Sequence, residues 1–196
     1  MNEKKHFDCT NCDVYSCYRQ KTEFPESCPG GGVNKNDYMD IYKNDSLVSR
    51  LINAAAVVDA SHDRVQEVIA FAKRLDVKVG IAACLGLINE AKIFAKMLDE
   101  QGIENFCANC KVGSIDKNDM GITAGRIPAP GDFRGMCNPI LQAQILKEQG
   151  CGLNVVLGLC VGHDSLFGMY SSAPTTTLVV KDRKNKHNSV VGLIAE

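Results

Sequence analysis

The chain has 196 residues, 45% of them hydrophobic, and carries 22 Lys and Arg against 23 Asp and Glu for a formal net charge of -1. That length holds one α/β domain with a small appendage, and the near-neutral balance excludes the basic footprint that nucleic acid or an anionic membrane surface requires. No apolar stretch is long enough to cross a bilayer, and Met1-Asn2-Glu3-Lys4-Lys5-His6 lacks the apolar core of a secretory signal, so a cytoplasmic protein is expected.

Ten cysteines then need an account. In a reducing compartment, spaced cysteines bind metal or do redox chemistry more often than they form staples. The first group runs Cys9-x2-Cys12-x4-Cys17-x10-Cys28, among Pro25, Pro29 and Gly30-Gly31-Gly32. Residues 1–37 show little periodic apolar pattern and cannot make their own core. They read as a cysteine-rich, metal-binding extension ahead of an α/β domain over 38–196. Four thiolates at this spacing suit tetrahedral zinc or a [4Fe–4S] cluster. A structural zinc contributes on the order of 10 kcal/mol to a small domain. The competing reading is four unligated thiols in a flexible tail.

Two helical runs follow. Asp45 and Ser46 are cap candidates before Leu47, Leu51, Ile52 and Ala55; Ser61 precedes Val65, Val68, Ile69, Ala72 and Leu75, which recur at helical spacing. Val77 to Ala83 reads as a strand ending at Cys84. Leu87, Ala91, Phe94, Ala95 and Leu98 mark an amphipathic helix closed by Gly102. Ile103 to Cys107 reads as a second strand. Lys111 to Met136 lacks periodicity and is rich in Gly and Pro, which predicts a lid or binding loop. Asn138-Pro139 is a helix start, Asn as cap and Pro in the first turn, and that helix runs to about Gln149. The apolar run from Leu153 to Leu159 is a buried strand that delivers Cys160 and His163. A short helix from His163 to Met169, a strand near Thr176 to Val180 and a last strand from Val190 to Ile194 complete the chain. Alternating strands and helices predict a three-layer α/β fold with a mostly parallel, Rossmann- or flavodoxin-like sheet.

The remaining cysteines gain meaning from that fold. Carboxyl ends of parallel strands share one edge of a sheet, so Cys84, the Cys107/Cys110 pair and Cys160 are candidates to meet there. Cys137 immediately precedes a helix, where unpaired N–H groups favour thiolate. His163 also sits near a helix start, with Asp164 beside it to orient it. A second centre would use Cys84, Cys110, Cys137 and Cys160, with His163 and Cys107 as alternates. The competing reading is that Cys84 and Cys160 pack in the core and His163 bonds locally. Cys151, between two glycines, reads as a turn thiol. Cys107-x-x-Cys110 is not followed by a helix start, which disfavours thioredoxin-type exchange. P-loop, dinucleotide, G-x-S-x-G and H-E-x-x-H motifs are absent. Lys111, Lys117, Arg126 and Arg134 in the long loop are candidates to hold an anion, or simply a solvated face.

The chain resembles a cysteine-rich metal-binding protein family of bacteria and archaea, catalogued as a domain of unknown function. The resemblance rests on Cys9-x-x-Cys12, Cys110-Lys-Val-Gly-Ser-Ile-Asp-Lys, Met136-Cys137-Asn-Pro, Gly158-Leu-Cys-Val-Gly-His-Asp-Ser-Leu-Phe167 and Ala173-Pro-Thr-Thr-Thr-Leu-Val-Val-Lys-Asp182. It implies metal binding and carries no reaction and no catalytic residue with it. The expected function is therefore binding of a thiolate-ligated zinc or [4Fe–4S] cluster, with a redox role at the second site. The expected partners are a metal ion and a small molecule or redox partner. Two rivals are a thiol enzyme with Cys137 or Cys160 as nucleophile and His163 as base, and a non-catalytic module whose zinc shapes an interaction surface.

Overall fold

The structure is a computed structural model that describes residues 8–18, 24–26, 28–121 and 132–194. The chain falls into two compact units, Met1–Ile52 and Asn53–Glu196.

The first unit opens with a single 3-10 turn at Cys9–Asn11, where Asp8 accepts from the Thr10 amide at 2.9 Å. Helix α1 (Lys35–Asn44) follows, capped by Asn34. Nothing in the apolar pattern announces α1, because its Tyr38, Met39, Ile41 and Tyr42 are all exposed. Helix α2 (Ser46–Ala55) starts where expected, with Asp45 accepting from the amides of Leu47 and Val48. Among the described residues of this unit, Ser16 alone is buried, so apolar burial does not hold it together.

In the second unit helix α3 (Arg64–Leu75) is capped by Asp63, which forms a reciprocal capping box with Gln66; Ser61, just ahead of it, bonds to Asp59. Four strands follow, β1 (Val79–Ala83), β2 (Asn105–Asn109), β3 (Leu153–Leu157) and β4 (Thr175–Val179). They form one parallel sheet in the order β2-β1-β3-β4. Every residue of β1 and β3 is buried, as central strands covered on both faces must be. The expected α/β fold is therefore the observed one, with the strand order of a flavodoxin-like sheet.

That order sends the chain one way from β1 to β2 and the other way through β3 to β4. Right-handed crossovers therefore put helix α4 (Ile88–Glu100) on one face, and helices α5 (Pro139–Glu148) and α6 (His163–Tyr170) on the other. The α5–α6 face is sealed by Ala82, Ala108, Val156, Leu146 and Phe167. Leu146 and Phe167 are fully buried and each contributes about 2–3 kcal/mol by leaving water. Among the described residues no helix is long and apolar enough to cross a membrane.

Two expected strands need correction. Ile103 does not start β2. It closes α4, with Ile103 N–H donating to Leu98 O and Gly102 N–H, at φ 72°, donating to Asp99 O, a glycine-based Schellman stop. The strand begins two residues later, which places Cys107 inside β2 rather than at its exit. Residues 190–194 are not a strand either. Val191–Ile194 form one short helical turn, α7, held by bonds such as Leu193 N–H to Val190 O. Their β-branched character has no neighbouring strand to act on.

Candidate thiolate site

The strand order reverses between β1 and β3, and such a switch point opens a crevice at the carboxyl edge of the sheet. Cys84 and Cys160 flank it. Cys84 extends the β1–β3 pairing by one residue, its N–H donating to Leu157 O at 3.0 Å, and then caps the 3-10 turn Leu85–Leu87 that leads into α4. Cys160 stands just ahead of α6, its carbonyl accepting from the amides of His163 and Asp164.

Cys110 and Cys137 arrive from the two ends of the long loop. Its stem is a short antiparallel pairing. Asn138 N–H donates to Cys110 O at 2.8 Å, Met136 N–H to Ile115 O at 2.7 Å and Lys117 N–H to Arg134 O at 3.2 Å, about an Asp116–Gly135 bridge. Chain segments 27 residues apart are thereby clamped together, and the Cys110 and Cys137 sulfurs share a hydrogen bond at 3.7 Å. Leu85 N–H donates to the Cys110 sulfur at 3.3 Å, which ties β1's exit to the same point. Residues 122–131, including Arg126, fall outside the described residues, and with them the middle of the expected lid. From α5, buried Gln142 donates its amide to Ala83 O at 3.2 Å and to Ala108 O at 2.8 Å. Those carbonyls lie just before Cys84 and Cys110, so Gln142 holds the two exits in register.

Three cations meet three of the sulfurs. Lys111 Nζ lies 3.4 Å from Cys137 Sγ and donates to Gly135 O at 2.6 Å. Lys181 Nζ lies 3.6 Å from Cys84 Sγ, and Arg183 donates to Cys160 Sγ at 3.0 Å. The shared hydrogen bond with Cys110, then the Lys111 ammonium, hold Cys137 down to about 5 against the cost of burial. The same bond, with burial, pushes Cys110 far up. One proton thus serves both sulfurs, and the pair titrates as a unit. In reduced, metal-free protein the alkylation rate of Cys137 should therefore rise through about pH 5 and be flat by neutral pH. A depressed pKa means that thiolate is lost only as pH falls through it. Cys107 and Cys151, both raised by burial, should lag well behind Cys137, as should the buried Cys110. A Cys137 midpoint in the ordinary thiol range would contradict the arrangement.

The family described as "Protein of unknown function (DUF1847)" matches residues 32–178. This chain is a member of the DUF1847 family. A relative from Methanocaldococcus jannaschii, itself named only as an uncharacterised protein, is 39% identical over 186 residues, which cover 92% of this chain and 90% of its own. No solved structure matches the chain. The part matched to DUF1847 contains the sheet-edge cysteines and His163, whereas Cys9, Cys12, Cys17 and Cys28 precede it and Lys181 and Arg183 follow it.

The structure of this DUF1847 chain gathers Cys84, Cys110, Cys137 and Cys160 at one edge. Cys84 is in electrostatic range of Cys110, and His163 and Arg183 of Cys137. Cys107 is not part of the group, since strand alternation turns it to the face opposite Cys110. Cys151 packs in the core against Leu146, as the closing residue of a second Schellman stop after α5. In the first unit Tyr15 N–H donates to Cys12 Sγ at 3.4 Å; Cys9 and Cys17 are exposed, Cys12 and Cys28 half-buried. All ten cysteines are free, and among the described residues no three Cys, His, Asp or Glu side chains stand close enough to hold an ion. Sequence reading passed over Lys181, Arg183 and Gln142. The two cations were findable, because the exit of β4 must share the edge with the exits of β1 and β3.

Proposed function

We propose that this DUF1847 protein binds thiolate-ligated metal, zinc or an iron–sulfur cluster, at two places. The centre at the sheet edge uses Cys84, Cys110, Cys137 and Cys160, with His163 in reserve. The observation that carries this reading is the 3.7 Å separation of the Cys110 and Cys137 sulfurs. Two thiolates bound at about 2.3 Å to one tetrahedral ion lie roughly 3.8 Å apart, so the pair already has the bite of half a zinc site. Closing the shell requires Cys84 and Cys160 to turn from Lys181 and Arg183 toward that pair. Those cations offset the surplus negative charge of four thiolates around a divalent ion. The second centre uses Cys9, Cys12, Cys17 and Cys28. Its support is a unit with no buried apolar residue among those described, for which a bound ion is the usual source of cohesion. The DUF1847 membership carries no reaction to set against this reading.

Metal analysis and a visible spectrum of protein purified without oxygen test it. Two zinc ions per chain in colourless protein, or broad absorption with matching iron and sulfide, are the supporting results. Protein that is metal-free under reducing conditions removes the reading.

A specific observation also favours thiol chemistry. Cys137 sits beside Lys111 and ahead of α5, the surroundings of a nucleophilic thiolate. His163 influences it through charge alone, without a hydrogen bond between them among the described residues, so the reactive group is Cys137 rather than a Cys–His pair.

A further inference from the structure

We infer that Cys110 and Cys137 form a dithiol–disulfide couple that reduces small disulfides, with Cys137 attacking and Cys110 resolving. The inference shares its two sulfurs with the proposed metal centre but requires no ion. Four observations carry it. The sulfurs are 3.7 Å apart, so a movement of under about 2 Å brings them to bonding distance. Their backbones are clamped by the loop stem at Asn138 and Cys110, which keeps the pair together in either redox state. Their exposure differs. Cys110 is 3% exposed and packed in the core, while Cys137 is half-buried at its margin, so an incoming disulfide meets Cys137 first. Lys111 Nζ, held by Gly135 O, lies 3.4 Å from the Cys137 sulfur, a cation placed beside the thiolates that the exchange releases. The partner that spacing alone would choose for Cys110 is Cys107, and that residue lies on the other face of β2.

The chemistry balances with a low-molecular-weight disulfide, RSSR, as the oxidant. The Cys137 thiolate attacks one sulfur of RSSR, forming a mixed disulfide and expelling one thiolate. Cys110 gives its thiol proton to that thiolate or to solvent and attacks the Cys137 sulfur. The Cys110–Cys137 bond forms and the second thiolate leaves. Two electrons pass from the protein dithiol to RSSR, which departs as one thiol and one thiolate.

The test uses the full-length chain, reduced, stripped of metal with a chelator and mixed with oxidised glutathione. Non-reducing peptide mapping should find the Cys110–Cys137 link as the main product. Cys110→Ser should stop at a glutathione adduct on Cys137. Followed by peptide mapping of residues 110 and 137, Cys137→Ser should take up glutathione at this pair at least about 100-fold more slowly, as expected when the attacking sulfur is gone, while Cys151→Ala forms the link at the parent rate. Retained far-UV circular dichroism in the variants separates lost chemistry from lost folding. A persistent adduct on Cys137 of the parent protein, links scattered among other pairs, or an unchanged rate in Cys137→Ser would each overturn the inference. Metal content measured in parallel separates the two proposals. A protein that forms this link yet binds no metal loses only the metal reading, and one that binds metal at the pair yet never forms the link loses only this one.

Discussion

Cys137→Ser protein purified without oxygen will hold one metal centre fewer than the parent. A structural zinc bound by four thiolates is worth about 10–16 kcal/mol, roughly 3 kcal/mol per ligand, so losing one weakens the site by at least about 100-fold. Serine keeps the volume and removes the soft donor. The same loss is expected for Cys110→Ser, because the two sulfurs supply the bite together. Cys107→Ser should leave the metal content unchanged, since its side chain is on the far face of β2. Cys9→Ser should remove the other centre and leave the sheet-edge one loaded. Unchanged metal in Cys137→Ser, or equal loss in Cys107→Ser, would show that the metal sits elsewhere.

Gly158→Ala should cost the second unit much of its stability. Gly158 has φ 67°, a conformation that costs a residue with a side chain about 1 kcal/mol. A β-carbon there would also collide with Leu87 Cδ1, and Leu87 is buried, so it cannot simply swing into water. Overpacking of this kind adds about 1–3 kcal/mol. The total of roughly 2–4 kcal/mol corresponds to a Tm lower by about 5–15 °C for a chain of this size. Gly162→Ala is the internal control. Its φ is 85°, but an added β-carbon has open space around it, so it should show the backbone part alone. Equal losses in the two variants would mean that the contact with Leu87 is soft. Gly158 lies two residues before Cys160, and Leu87 three residues after Cys84. The tight contact therefore also sets how closely two of the cysteines approach the crevice, and Gly158→Ala should weaken metal retention along with stability.

The metal and dithiol readings use the same sulfurs in exclusive states. A disulfide leaves no thiolate for an ion, and an ion held by both sulfurs blocks attack on an external disulfide. Metal-loaded protein should accordingly consume oxidised glutathione more slowly than stripped protein.

By itself the sequence determined the class of fold and most of its core. The short, β-branched apolar runs before Cys84 and after Gly152, bounded by turn residues, read as buried strands, and the amphipathic helices between them imply parallel pairing. Asn138-Pro139 and Gly102 set helix ends by local chemistry, so they were legible without any neighbour. What depended on partners distant along the chain was not. The two-residue shift in the start of β2 moved Cys107 from the exit of the strand to its interior, where alternation sets it on the face opposite Ala108 and Cys110. Helix α1 and the final turn α7 bury no apolar stripe, so no periodicity marked them. The 3.7 Å approach of Cys110 to Cys137 and the cations facing the sulfurs arise from stem pairing and strand order. Local propensity names the residues able to do chemistry, but the distances between them come from hydrogen bonds closed over tens of residues, and only the folded sheet supplies those.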